Sequence, residues 1–311
     1  MANAFDIDSL ISQVYRMESI ATSSQTFNEE DIIEFLNMEL QSVVTPVIQS
    51  VNEEFGVMSY DLPANPLPPT VRIPSFATGA RLRSVQLIST QGVITNVPRL
   101  DPDKIGQMNF WANGFYIKNN ELVFYPQPQT GFTGTLRLNY FRRSNRLVEQ
   151  LASGRVTAVD TIGNLVTLDN APVPSTSWIG GTLVDVIYGD SPFDFSARDV
   201  TLLNATGPVL EVSPADIGFF EVGMYVALAG ETPVAQFIPA EATYYLCQLA
   251  GARCLQALGD TEGYQVAQSK AETMRQHLIN LVSDRIEGQP KRLVSIGMGK
   301  RRFLGNWQWG W

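Results

Sequence analysis

The chain has 311 residues, of which 44% are hydrophobic and only 17% are charged. This length can bury a sizeable core and hold two or three modules, and the net charge of -9 argues against a protein body that wraps nucleic acid, because affinity for phosphate comes from Lys and Arg. Low charge with ordinary apolar content fits two interpretations equally well, a surface covered by neighbouring molecules or a single compact enzyme. No apolar run reaches the roughly 18 residues of a membrane span, so we expect no membrane contact.

The start of the sequence, MANAFDIDSL, lacks a basic segment followed by an apolar one, so we expect no signal peptide. Cys247 and Cys254 are seven residues apart in a helical pattern. That spacing separates them by roughly 10 Å along one helix face, which is too far for an easy disulfide. We predict two buried free thiols, made in a reducing compartment.

Residues 1–60 predict N-terminal helices. Apolar residues recur at helical spacing over 5–20, and a second amphipathic helix follows Asn28, whose side chain is suited to cap it. Pro46 predicts a kink in that second helix.

Residues 61–146 predict a linker and a first β region. The Pro-rich sequence DLPANPLPPTVRIP, residues 61–74, predicts an extended linker. Short β-type runs follow it, and Asn119-Asn120 predicts a tight hairpin turn between two of them.

Residues 147–238 predict a second β module. Strand-like runs recur about every ten residues with Gly, Asp or Pro between them, which is typical of a small barrel or sandwich. The clearest hairpin is RVTAVDTIGNLVTLD, with the turn at Ile162-Gly163-Asn164.

Residues 239–288 predict a helical hairpin. Gly259 is expected to end its first helix and Asp260 or Thr261 to cap the second. The second helix has a heptad-like apolar seam formed by Tyr264, Ala267, Ala271, Met274, Leu278 and Leu281.

Residues 289–311 predict a basic and aromatic C-terminal docking tail. It contains five basic residues, no acid and three of the chain's five tryptophans. Because the whole chain is -9 and the tail is +5, residues 1–289 carry -14. Exposed Trp is a liability unless a partner covers it, and Trp and Arg are enriched where partners are gripped. We expect docking through Lys300, Arg301, Arg302, Phe303, Trp307, Trp309 and Trp311.

Motifs for chemistry are weak throughout. The single histidine, His277, lies mid-helix, and one His with two Cys cannot assemble a usual zinc site. Asp190, Asp194 and Asp199 are gathered between strands, where a structural turn is favoured over a calcium loop of unfamiliar spacing. We therefore predict no catalytic residue, no metal and no cofactor.

Three arginines, Arg142, Arg143 and Arg146, follow the first β region. We favour a solvated or salt-bridged face. The alternative is a contact between subunits, made with an acidic neighbour, or with passing DNA.

The order of elements predicts an α+β fold, in which terminal amphipathic helices form a small bundle with inserted β-rich modules and an extended C-terminal tail. The segments TFNEEDIIEFLNMELQSVVTPVIQSVNEEFGV and AEATYYLCQLAGARCLQALGD, with the helix and basic-aromatic tail after them, resemble head-to-tail connector proteins of tailed bacteriophages. These are also called adaptor or head-completion proteins. The similarity covers mainly residues 28–56 and 239–311.

The resemblance implies a structural virion protein that is not an enzyme. Its partners are the portal protein, gripped by the C-terminal tail, neighbouring copies in a usually dodecameric ring, and tail or collar proteins. Genomic DNA passes non-specifically through an acidic channel, and the ring assembles in the host cytoplasm before it resides in the virion.

Three alternatives stay open at this point. The first is a lower tail-tube, stopper or collar component, which would also form a ring. The second is a virion-associated hydrolase built on the β modules. The third is a protein that binds nucleic acid through the tail alone, with Trp stacking on bases.

Overall fold

A computed structural model of the chain describes residues 5–18, 28–74, 76–105, 113–126 and 133–283. Within these ranges the fold is α+β, as predicted, and one of its sheets closes into a six-stranded barrel.

Two N-terminal helices form where the apolar spacing predicts them. Helix α1 spans Ile7–Met17 and α2 spans Glu29–Glu39. The predicted cap at Asn28 is confirmed, because Asp31 N donates to its Oδ1 at 2.8 Å and Asn28 N donates to Asp31 Oδ2 at 3.1 Å. This reciprocal capping box satisfies two backbone donors that the helix leaves open.

The distortion expected at Pro46 takes the form of a π-helical turn over Leu40–Val44, followed by α3 at Thr45–Val51. Proline has no N–H and its ring clashes with the carbonyl four residues earlier, so the hydrogen-bond ladder must loosen in that turn.

The first β region consists of two sheets that share a core. Strands β1, β7, β3 and β4 form an antiparallel sheet in that order, and β2, β6 and β5 form the other. Val85 and Leu138 from the first sheet pack with Phe115 and Leu122 from the second. The bounds are β1 Val57–Ala64, β2 Thr70–Arg72, β3 Ala77–Ser89, β4 Ile94–Val97, β5 Gly114–Lys118, β6 Glu121–Tyr125 and β7 Gly134–Arg142.

The prediction of an extended linker over 61–74 is wrong for much of that segment. Strand β1 pairs with β7 as far as Ala64, and β2 pairs with β6. Both strands lie at sheet edges. An edge strand tolerates proline, such as Pro63 in β1, because its missing N–H faces away from the ladder.

The tight turn predicted at Asn119-Asn120 is confirmed. These residues connect β5 to β6 with φ of 51° and 62°. Positive φ at both central positions is what the favoured two-residue hairpin turn requires, and Asn tolerates it better than most residues.

The second β region forms the closed barrel, with strand order β10-β13-β12-β11-β14-β9. The predicted hairpin is its β9–β10 pair, with Asn164 at φ 56° in the turn. Short strands β8, Arg146–Leu147, and β15, Glu231–Thr232, pair in parallel beside it. The barrel strands are β9 Gly154–Asp160, β10 Leu165–Leu168, β11 Leu183–Ile187, β12 Phe195–Thr206, β13 Val209–Val212 and β14 Tyr225–Leu228.

The C-terminal helical hairpin is also confirmed. Helix α4 spans Ala240–Leu258 and α5 spans Thr261–Val282. Gly259 ends α4 at φ 78°, and Asp260 caps α5 by accepting a hydrogen bond from Gly263 N at 2.8 Å. The predicted apolar seam of α5 is wrong at its last residue, because Leu281 is 64% exposed.

Helices from both ends of the described chain share one apolar core with the rim of the barrel. Their buried side chains belong to a single cluster that includes Leu10, Leu36, Leu246, Leu278 and, from the barrel, Ile187. At the same junction, Tyr225 Oη donates to Asp6 Oδ1 at 2.9 Å. The β modules therefore start and end at one helical layer.

Candidate functional site

The docking residues predicted in the tail lie outside the described residues. These are Lys300, Arg301, Arg302, Phe303, Trp307, Trp309 and Trp311. The predicted end of the helical hairpin at Gly288 lies outside them too.

The three arginines predicted to form one solvated or salt-bridged face do not share an environment. Arg143 is exposed, and Arg146 is exposed and pairs with Glu34 on α2 at 3.0 Å. Arg142 is only 6% exposed, so a solvated position is wrong for this residue, whereas the salt-bridged form of that prediction is confirmed by its ion pair with Asp194. The contact between subunits remains a prediction. As the last residue of β7, Arg142 points into the junction between the first β region and the barrel.

The guanidinium of Arg142 is held by an ion pair and by aromatic rings. Its Nη1 lies 2.9 Å from Asp194 Oδ1, and its Cζ lies 2.9 Å from the ring centroid of Phe237 and 5.3 Å from that of Phe195. Burial lowers the pKa of Arg142 to about 10, against the opposing effect of Asp194. The side chain therefore remains a cation at neutral pH.

A second arginine, Arg198 on β12, lies beside this pair and was not singled out from the sequence. Its Cζ is 3.9 Å from the ring centroid of Phe195 and 4.0 Å from that of Phe76. A guanidinium this close to two rings gains cation–π attraction from each of them. We call Arg142, Arg198, Phe76, Phe195 and Phe237 the arginine cluster.

The buried carboxylate of Asp185 on β11 fixes the backbone around the cluster. It is 2% exposed and accepts hydrogen bonds from Asn145 Nδ2 at 2.8 Å, Gly230 N at 3.0 Å and Asp199 N at 3.1 Å. Asn145 Oδ1 accepts in turn from Arg198 Nη2 at 3.0 Å. The sequence signal for this network is the polar string FRRSNR, residues 141–146, which contains Asn145 beside the arginines.

The carboxylates considered for calcium have separate roles. Asp194 pairs with Arg142, while Asp190 and Asp199 are exposed. Within the described ranges, no three His, Cys, Asp or Glu side chains are grouped closely enough to hold a metal ion.

The remaining residues with reactive side chains are scattered. His277 is exposed on α5. Cys247 and Cys254 are buried free thiols, as predicted, and burial raises their pKa values to about 12 and about 11. Protonated, buried thiols are poor nucleophiles.

A groove of about 480 Å³ lies between the π-helical turn with α3 and the α4–α5 hairpin. At its edge, the carboxylate of Glu39 is 2% exposed and pairs with Arg253 Nε at 2.6 Å. Glu272 and Arg275 form a second, exposed pair on the same wall. The groove is therefore lined by a mixture of apolar and polar side chains, and its acidic and basic residues balance in number.

The outer surface of the barrel exposes several large apolar side chains. Leu183 on β11 and Leu203 on β12 are 43% and 53% exposed and belong to the outward-facing positions of these paired strands. Ile179, 56% exposed, lies in the loop beside Leu203. We call Ile179, Leu183 and Leu203 the β11–β12 patch. Further exposed residues of this region are Leu151, Ile162, Val173, Tyr188, Phe219 and Val222.

Comparison with protein families and with curated proteins finds no sequence match to this chain. A search of the described helices for one both long enough and apolar enough to cross a bilayer finds none.

Proposed function

We propose that the chain is a ring-forming structural protein of a tailed-phage neck, an adaptor that joins the portal to the tail and continues the DNA channel. The observation that carries the proposal is the exposed apolar surface of the barrel, centred on the β11–β12 patch. Contiguous exposed apolar residues mark surfaces that a partner covers. In a ring, the partner is the next copy of the chain.

The junction between modules supports this role. Arg142, Arg198 and their rings join the first β region to the barrel, and one apolar core joins the barrel to the helices. A subunit whose modules keep fixed relative positions transmits the geometry of one ring to the next. The terminal helices, in this proposal, form a small bundle from which both β modules project.

The charge distribution of the sequence supports the partners we propose. Residues 1–289 carry -14, which repels DNA in a channel, whereas the tail carries +5 and three tryptophans. We assign the grip on the portal to the extended tail, with Trp307, Trp309 and Trp311 as apolar anchors and Lys300, Arg301 and Arg302 setting orientation.

Ring formation through the barrel is tested by native mass spectrometry of the full chain mixed with its cognate portal ring. We expect the double variant Leu183→Ser/Leu203→Ser to need at least about tenfold more protein for the same ring occupancy, as for loss of an apolar hot spot. The double variant Val93→Ser/Ile94→Ser changes two apolar side chains of the first β region that are 59% and 55% exposed, and it is the matched control. Equal assembly by Leu183→Ser/Leu203→Ser and wild type would contradict this use of the patch.

A further inference from the structure

A cleft of about 350 Å³ opens where the first β region, the barrel and the π-helical turn at Leu40–Val44 meet. Its lining includes Ser144 and Asn145 from the segment between β7 and β8, Arg198 from β12, and Arg143 and Arg146. The proposed ring contact does not use this cleft, since the β11–β12 patch is formed by other residues.

The cleft contains hydrogen-bond donors that the described fold does not satisfy. Ser144 is 4% exposed, and its Oγ makes no hydrogen bond. Arg198 uses Nη2 to reach Asn145, while its buried Nε and Nη1 contact no acceptor. Leaving a buried donor unsatisfied costs about 1–3 kcal/mol, so three such groups lining one cleft call for an acceptor.

The carboxylates in the cleft do not supply that acceptor. The carboxylate oxygens of Asp185 already accept hydrogen bonds from Asn145 and from the backbone N–H groups of Asp199 and Gly230. The side chain of Asp199 is exposed and forms no ion pair with a described residue. Arg198 contacts the rings of Phe76 and Phe195 and donates Nη2 to Asn145, which leaves Nε and Nη1 without an acceptor among the described residues.

We propose that this cleft binds an oxyanion, a carboxylate or phosphate group, through Arg198 and Ser144. Arg198 Nε–H and Nη1–H lie on different edges of the guanidinium, so one of them donates to an oxygen of such a group, and the serine hydroxyl adds a second donor. Arg143, which is exposed and forms no ion pair with a described residue, adds positive charge at the cleft. The oxyanion comes either from a small free anion or from an acidic side chain of a neighbouring protein.

The test uses the full chain and follows arginine Nε–H resonances by NMR during titration at constant ionic strength. The probes are inorganic phosphate and citrate, for a free anion, and the peptide acetyl-Gly-Glu-Gly-amide, for a protein side chain. We expect the Arg198 resonance to move with saturation. The probe with the highest affinity identifies the source.

Two variants separate binding from folding. Ser144→Ala removes a hydroxyl that has no partner, so it should leave thermal stability without anion equal to or above wild type and weaken the anion about tenfold. Arg198→Gln should abolish saturable binding, and Arg83→Gln, an exposed arginine paired with Glu54, is the control. No saturable shift with any probe, or equal affinity in Ser144→Ala and wild type, overturns the proposal and assigns the donors to water.

Discussion

The ion pair between the buried Arg142 and the half-exposed Asp194 gives different predictions for removing each partner. The arginine is 6% exposed, whereas the Asp194 side chain is 47% exposed. Removing the carboxylate charge therefore strands a cation among Phe195 and Phe237, but removing the cation leaves a carboxylate that water can still reach.

The magnitude follows from this difference in exposure. Breaking a fully buried pair costs about 3–5 kcal/mol because an uncompensated charge remains inside. Since Asp194 is half exposed, solvent already screens part of the interaction, and the rings still contact the guanidinium. We expect Asp194→Asn to lower the free energy of unfolding by about 2–3 kcal/mol, measured by urea denaturation.

Two further variants make this prediction specific. Asp190→Asn changes an exposed residue of the same loop and should stay within about 0.5 kcal/mol of wild type. Arg142→Met combined with Asp194→Asn replaces the cation by an apolar chain and should recover most of the loss. The reasoning is refuted if Asp194→Asn is as mild as Asp190→Asn, or if the double variant is no more stable than Asp194→Asn.

Two other predictions concern the helical layer. Arg253→Met leaves the buried carboxylate of Glu39 without its partner and should lower the free energy of unfolding by about 2–3 kcal/mol in urea denaturation. Arg275→Met breaks only an exposed pair and should lower it by less than about 1 kcal/mol. Equal losses in the two variants would contradict this account. Burial raises the pKa of Cys247 and Cys254 from 9.0 to about 12 and about 11, so these thiols ionise at lower pH in the unfolded chain than in the folded one. The buried, protonated thiols therefore stabilise the fold fully below pH 9, and this contribution is lost as the pH rises towards 12. Replacing both cysteines with Ala should flatten this fall in urea midpoint between pH 8 and 10.5, and an unchanged slope would show that other groups cause it.

Local sequence signals predicted most of the elements correctly because their causes are local. The cap at Asn28, the Asn119-Asn120 turn and the end of α4 at Gly259 each depend on the conformational preference of one or two residues. The barrel follows similarly from regular spacing of short strands and turns.

The wrong predictions concern residues whose structure depends on partners that are distant in sequence. Nothing near Arg142 in sequence indicates burial, because its counterion Asp194 is 52 positions away and Phe237 follows β15, still later in the chain. The strands in 61–74 form because β7 and β6 offer them edges, despite a composition typical of a linker. Leu281 continues the heptad pattern in sequence, but within the described part of the chain it is 64% exposed, so spacing alone does not place it in the core.

The central claim, a portal adaptor docked through its tail, is tested most directly by negative-stain electron microscopy of the chain mixed with the cognate portal ring. Three forms are compared: the full chain, a chain ending at Gly288, and the full-length variant Trp307→Ala/Trp309→Ala/Trp311→Ala. We predict a second ring layered on the portal with the full chain, and bare portals with the other two. Layering that persists without the tail would contradict the docking role, and bare portals with the full chain would contradict the adaptor function itself.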